Sequence, residues 1–102
     1  MGIEGAHTTF KRPQEMGVAV VIYVTEYCGF CRMAEGLLRR KSIAFEAVDV
    51  THSTDARSWL IETTGQRTVP QVFIHGRSIG GYSELSALDR AGKLAALLAA
   101  GR

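Results

Sequence analysis

Cys28 and Cys31 are the only cysteines among 102 residues, and two residues separate them in the quartet Cys28-Gly29-Phe30-Cys31. Two cysteines placed at random in such a chain would take this spacing in roughly 2 per cent of placements, so the spacing itself points to a redox centre. The chemistry open to such a pair is exchange: one thiolate attacks a disulfide, and the second thiol closes an internal disulfide to release the product. A thiol of pKa about 8.5 is only a few per cent ionised at neutral pH, so the attacking cysteine needs a setting that holds its charge. A helix N-terminus supplies one through unpaired N–H groups and the positive end of the dipole, and a thiol brought to about 5 there would be almost fully ionised. Arg32 adds a favourable charge nearby and Glu26 an unfavourable one.

Two plainer uses of the pair are weaker. Zinc takes four ligands and the quartet offers two, while His7, His52 and His75 show no ligand spacing. A structural disulfide closing so short a loop would constrain the unfolded chain little.

The residues around the quartet meet the need for a helix N-terminus. The run Val18-Ala19-Val20-Val21-Ile22-Tyr23-Val24 reads as a strand buried on both faces, as in a parallel sheet. After the quartet, Phe30, Met33, Ala34, Leu37 and Leu38 recur with helical spacing, and Arg39, Arg40 and Lys41 follow where a helix C-terminus favours positive charge. The quartet is therefore a strand-to-helix turn, with Cys28 at the N-terminus and Cys31 one turn further in and less exposed. Residues 43–50 alternate as a second strand, parallel to the first. Ser53 or Thr54 caps a helix carrying Trp59, Leu60 and Ile61, which Gly65 ends in a left-handed conformation. Residues 71–74 and 77–79 flank His75-Gly76 as a tight hairpin, which predicts a mixed sheet with one antiparallel pair. Gly80-Gly81 break the pattern, Ser83 caps a helix through about Arg90, and residues 93–100 form a last helix rich in alanine and leucine. The order is βαβαββα. Thr68-Val69-Pro70 precedes the third strand, and sequence alone does not decide whether the Pro70 bond is trans or cis.

A chain of this length with 46% hydrophobic residues makes one compact domain. Residues 1–16 carry glycines and a proline without period and read as a mobile N-terminal tail, leaving 17–102 as the folded domain. The net charge of +2 is too small for a nucleic-acid partner, and the apolar stretches are too short to span a bilayer. Without an apolar leader at its N-terminus, the chain is expected in the cytoplasm, where paired cysteines of this spacing serve catalysis more than structure.

Joined in one order, Val21-Ile22-Tyr23, Cys28-Gly29-Phe30-Cys31, residues 65–74 with Thr68-Val69-Pro70, and Ile79-Gly80-Gly81-Tyr82-Ser83-Glu84-Leu85 resemble a glutaredoxin of the small bacterial dithiol type, from about Val18 to Leu98. The resemblance implies an α/β thioredoxin fold, a four-stranded mixed sheet flanked by helices, with Pro70 in cis. It implies a glutathione-dependent thiol–disulfide oxidoreductase of cell redox homeostasis, with Cys28 attacking and Cys31 resolving. Glutathione would be the co-substrate, and disulfide-containing or glutathionylated proteins the partners, with no nucleic acid, no membrane and a monomeric chain. The implied glutathione groove takes in Thr25, Tyr27, Phe30, Arg57, Arg67, Thr68, Val69, Pro70, Gly81, Tyr82 and Ser83. Within it Arg57 would face the glycyl carboxylate, although a solvated helix charge is its plainer reading. Val69 would pair main chain to main chain with the cysteinyl unit, and Gly81, Tyr82 and Ser83 would meet the γ-glutamyl end.

Three positions depart from the family pattern. Gly29 replaces the usual proline and frees a backbone N–H. Thr25 replaces a lysine, and Ser83 an aspartate, so glutathione affinity is expected to be weaker. The alternative to the enzyme is a carrier or sensor in which two chains bind a [2Fe–2S] cluster through Cys28 of each and two glutathione thiolates, with Phe30 and Tyr82 as shields; such a chain would be a dimer only when cluster-bound. A thiol-containing binding module without turnover is the third possibility.

Overall fold

The structure, a computed structural model, describes residues 12, 13 and 16–100. The valine-rich run forms β1 (Val20–Val24), and all five of its residues are buried. It is buried on both faces because alternate side chains enter two separate cores, Val20, Ile22 and Val24 on one side and Val21 and Tyr23 on the other. The strand leads into α1 (Gly29–Arg40), whose basic last turn, Arg39 and Arg40, suits its C-terminus.

The second strand, β2 (Phe45–Asp49), is only partly covered because it lies at the sheet edge. It pairs in parallel with β1, in register from Val20 with Phe45 to Val24 with Asp49. Next comes α2 (Thr54–Thr64), capped by Ser53, whose hydroxyl accepts the Ala56 N–H at 3.1 Å. Gly65 closes it at φ 75°, donating its N–H to the Ile61 carbonyl. Two antiparallel strands, β3 (Gln71–Ile74) and β4 (Arg77–Gly80), follow around a two-residue turn. His75 and Gly76 take φ 51° and 81° there, the left-handed pair that fits the twist of a hairpin. The chain ends in α3 (Tyr82–Arg90) and α4 (Leu94–Ala100).

The strand order is β2-β1-β3-β4. The sheet is mixed, but it holds two antiparallel pairs, β1 with β3 and β3 with β4, where the sequence predicts one. The hairpin can be read from its turn, whereas β1–β3 joins segments about fifty residues apart and leaves no local signal.

Helices cover both faces. On one, α1, α3 and α4 pack Ala34, Leu37, Leu38, Leu85 and Leu94 against Val20, Ile22, Val72 and Ile74. On the other, α2 packs Ala56 and Leu60 against Tyr23 and Phe73. Trp59 joins that face, with ring centroids 5.5 Å from Tyr23 and 5.6 Å from Phe73. Such aromatic pairs add about 0.5–1.5 kcal/mol beyond their buried area. An ion pair of 3.0 Å between Lys41 and Asp89 joins the C-terminal ends of α1 and α3.

The apolar stripe of α1 is not quite the one predicted. Cys31, Ala34, Leu37 and Leu38 are buried, whereas Phe30 and Met33 are 60% and 47% exposed. Cys31 is itself the first member of the stripe, and Phe30 and Met33 each lie one position before a buried residue, on the outward flank. Of the N-terminal tail, residues 1–11, 14 and 15 lie outside the described residues. Pro13 is buried, Met16 packs on the α2-side core, and the Arg12 guanidinium sits 5.9 Å from the centre of the Trp59 ring. Among the described residues no helix is long and apolar enough to cross a membrane.

Candidate active site

Cys28 is the N-cap of α1, with extended backbone at φ −134° and ψ 104°. Its sulfur takes the place of a capping oxygen and accepts the Cys31 N–H at 3.1 Å. A negative sulfur gains most from that contact, because the bond becomes charge-assisted and the helix dipole adds to it. Cys31 is fully buried in the core cluster under α1, where a charge is costly, while Cys28 is half-buried. The Cα atoms are 5.2 Å apart and the two sulfurs are bonded as a disulfide. The pair is thus asymmetric, Cys28 half-buried and Cys31 fully buried.

The Val69–Pro70 bond is cis, and the Val69 carbonyl oxygen lies 3.7 Å from the Cys28 sulfur. Beside it runs a groove of about 660 Å³, lined by Phe30, residues 65–70 and residues 81–84. Of the residues predicted to bind glutathione, it brings together Phe30, Arg67, Thr68, Val69, Pro70, Gly81, Tyr82 and Ser83. Arg57 lies in an adjoining hollow of about 250 Å³ that shares Arg67, Thr68 and Val69 as a wall. Thr25 and Tyr27 stand outside both linings, and Tyr27 is 94% exposed. Phe30 and Tyr82 stack at 6.1 Å between centroids, linking the starts of α1 and α3 along one side of the groove.

Two local expectations are corrected. Ser83 does not cap α3; Gly81 does, with its carbonyl accepting the Leu85 N–H at 3.0 Å, and Ser83 is the second helical residue with an exposed side chain. The helix starts earlier because Glu84 turns back and accepts the Gly81 N–H at 2.8 Å, half of a capping box built on a glycine. The Arg32 guanidinium is engaged elsewhere: it pairs with Glu35 at 3.2 Å and donates to the Thr25 carbonyl at 3.3 Å.

Four residues carry no earlier role. Gln71 is fully buried and donates to the Thr68 carbonyl at 2.8 Å and to the Gln66 side chain at 3.1 Å. Its sequence signal is a polar residue inside an otherwise apolar strand. Glu84 is foreshadowed by an acid three residues after Gly81. Asp49 and Thr51 brace the approach to Cys28: Asp49 accepts the Thr51 N–H at 2.8 Å, and the Thr51 hydroxyl oxygen accepts the Glu26 N–H at 2.9 Å. The Thr51 hydroxyl and then its amide lower the Asp49 pKa, slight desolvation opposes them, and the charges of His52 and Arg32 add to the lowering. Nothing in the sequence pairs Glu26 with Thr51, since that bond depends on the parallel register of β1 and β2.

Comparison with known proteins agrees with this geometry. The family model "Glutaredoxin" matches residues 20–79, more than half of the chain. A glutaredoxin of Pseudomonas aeruginosa is 43% identical over 81 residues, covering 79% of this chain and 96% of that protein. Glutaredoxin 3 of Escherichia coli (strain K12) is 39% identical over 79 residues, covering 78% of this chain and 95% of its own. A crystal structure of a buckwheat glutaredoxin–glutathione complex is similar at a TM-score of 0.76 and 31% identity, covering 82% of this chain and 79% of that one. Sequence and fold agree, and the chain belongs to the glutaredoxin family of thiol oxidoreductases.

Proposed function

We propose that the protein is a glutathione-dependent oxidoreductase that reduces protein–glutathione mixed disulfides and protein disulfides. The observation that carries this reading is the Cys28 sulfur at the head of α1, 3.1 Å from the Cys31 N–H and 3.7 Å from the carbonyl of Val69, which lines the groove. As a thiolate, Cys28 attacks the glutathionyl sulfur of a mixed disulfide; the old S–S bond breaks, and the protein leaves as a thiolate that takes up a proton. A second glutathione thiolate attacks the same sulfur, forming oxidised glutathione and returning Cys28 as thiolate. With a protein disulfide, the first attack leaves the protein on Cys28. Cys31 then loses its proton and attacks Cys28, freeing the protein dithiol and forming the internal disulfide that two glutathiones reduce.

The groove fits an extended tripeptide. Val69 offers main-chain groups for strand-like pairing beside Cys28. The first N–H groups of α3, at Tyr82 and Ser83, suit the γ-glutamyl carboxylate, and Arg57 with Arg67 suits the glycyl one. The buckwheat relative was crystallised as a complex with glutathione, which supports the same ligand here. Thr25, outside the lining, and Ser83, without charge, leave fewer ionic contacts than the family pattern and a weaker affinity. A cytoplasmic setting, rich in reduced glutathione, supplies the electrons. The test is turnover of a glutathionylated peptide by the full chain. A rate that saturates with glutathione and vanishes in Cys28→Ser agrees with this reading, and a rate independent of glutathione contradicts it.

The cluster-carrying alternative needs four thiolates. In that reading Cys28 of each of two chains supplies one thiolate and two glutathiones the others; the retained Cys31, bonded to Cys28 here, counts against it because the disulfide withdraws the ligand thiolate. Gly29 has nothing within 4 Å of where a Cβ would stand, so a residue here meets no steric bar. Reconstitution with iron, sulfide and glutathione is expected to give a colourless, active monomer. A stable brown dimer with negligible exchange activity would establish the carrier instead.

A further inference from the structure

We infer that Gln71 is a positioning residue: its buried carboxamide holds residues 66–68 so that the main chain at Val69 is set for a thiol peptide before one arrives. The inference rests on the glutathione reading above. Gln71 opens β3 directly after Pro70, and its side chain is fully buried. Both N–H groups are used, one on the Thr68 carbonyl at 2.8 Å and one on the Gln66 side-chain oxygen at 3.1 Å. A main-chain carbonyl can only accept, so the Thr68 contact fixes which end of the amide faces the loop.

The other end, Oε1, is buried without a hydrogen-bond partner among the described residues. An unpaired buried acceptor loses its hydration and gains nothing in return. At this position, opposite Tyr23 of β1, an apolar side chain would fill the sheet interior without that cost. What an apolar chain cannot do is reach back across Pro70 and bond the loop. Gln66 is held from the other direction as well, its N–H donating to the Thr64 hydroxyl at 3.1 Å. The loop is thus tied to the end of α2 and to the start of β3, and between the ties lies Val69, whose carbonyl stands 3.7 Å from the Cys28 sulfur. An edge fixed in advance loses less entropy on binding, so the effect belongs to affinity and not to the chemical step.

The test compares wild type with Gln71→Met, which keeps length and apolar bulk, and with Gln66→Ala at an exposed position. Reduction of a glutathionylated peptide and backbone order parameters of the free proteins are both measured. In wild type, Thr68 and Val69 are expected near the rigid-backbone value of about 0.85, falling below about 0.7 in Gln71→Met. KM for the peptide should rise about three- to tenfold, the size of one or two lost neutral hydrogen bonds, with kcat within about twofold and the Cys28 titration unmoved. Gln66→Ala should move KM and order parameters the same way by less. Unchanged KM and order parameters in both variants overturn the inference, as does a Thr68–Val69 segment already mobile in wild type, or a fall in kcat with a shifted Cys28 titration. Should Gln71→Met not fold, Gln66→Ala decides by the same two readouts. Wild-type turnover indifferent to glutathione would defeat the functional reading alone, since the order parameters still judge whether Gln71 sets the loop.

Discussion

The Cys31 amide nitrogen lies 3.1 Å from the Cys28 sulfur, so in the proposed mechanism the residue that resolves a mixed disulfide would also cap the thiolate of the residue that attacks. One peptide unit would serve both steps. This follows from the spacing, because an N-cap side chain meets the N–H three residues on.

Cys28 is therefore expected to ionise below an ordinary thiol, whose pKa is about 8.5. Thiolate absorbance followed against pH in Cys31→Ser isolates Cys28, and the substitution keeps the amide that caps it. An ordinary titration would mean that the helix N-terminus does not stabilise the thiolate.

Arg57 is exposed and lines the hollow next to the groove, so its loss should affect binding more than folding. Arg57→Ala should weaken glutathione binding by about 1–2 kcal/mol, roughly 5- to 30-fold, as for a lost charge-assisted hydrogen bond. The glutathione dependence of the rate reads this directly. An unchanged dependence would place the glycyl end elsewhere.

Asp49 holds its proton less tightly than an ordinary carboxyl because Thr51 hydrogen-bonds its charged form. A carboxyl lowered by folding stabilises the fold above its unfolded value of about 4, and that contribution is lost as pH falls through the lowered folded value. Asp49→Ala should thus be less stable than wild type near neutrality, with the gap closing in the acid range. Denaturant midpoints from pH 7 to pH 2 check it. A gap that widens toward acid would contradict the Thr51 bond as its source.

The sequence carried what is local. The strand before Cys28, the Ser53 cap, the left-handed Gly65 and the His75-Gly76 turn each depend on a few adjacent residues, and each is present. It did not carry the β1–β3 pairing or the Thr51–Glu26 bond, which exist only once distant strands are in register. Hydrophobicity and helical spacing alone do not separate the core residues of α1 from the exposed Phe30 and Met33; the place of Phe30 in the groove came only with the family resemblance. Ser83 was misplaced because residue type favours serine at a cap, whereas the Glu84 bond to the Gly81 N–H moves the start of α3 two residues back.

The most direct measurement is mass spectrometry on Cys31→Ser quenched during turnover of a glutathionylated peptide. With the resolving thiol gone, the account predicts one glutathione on Cys28, formed as the peptide thiol leaves and removed by added glutathione. The target peptide retained on Cys28, or no adduct while turnover continues, would contradict attack by Cys28 on the glutathionyl sulfur.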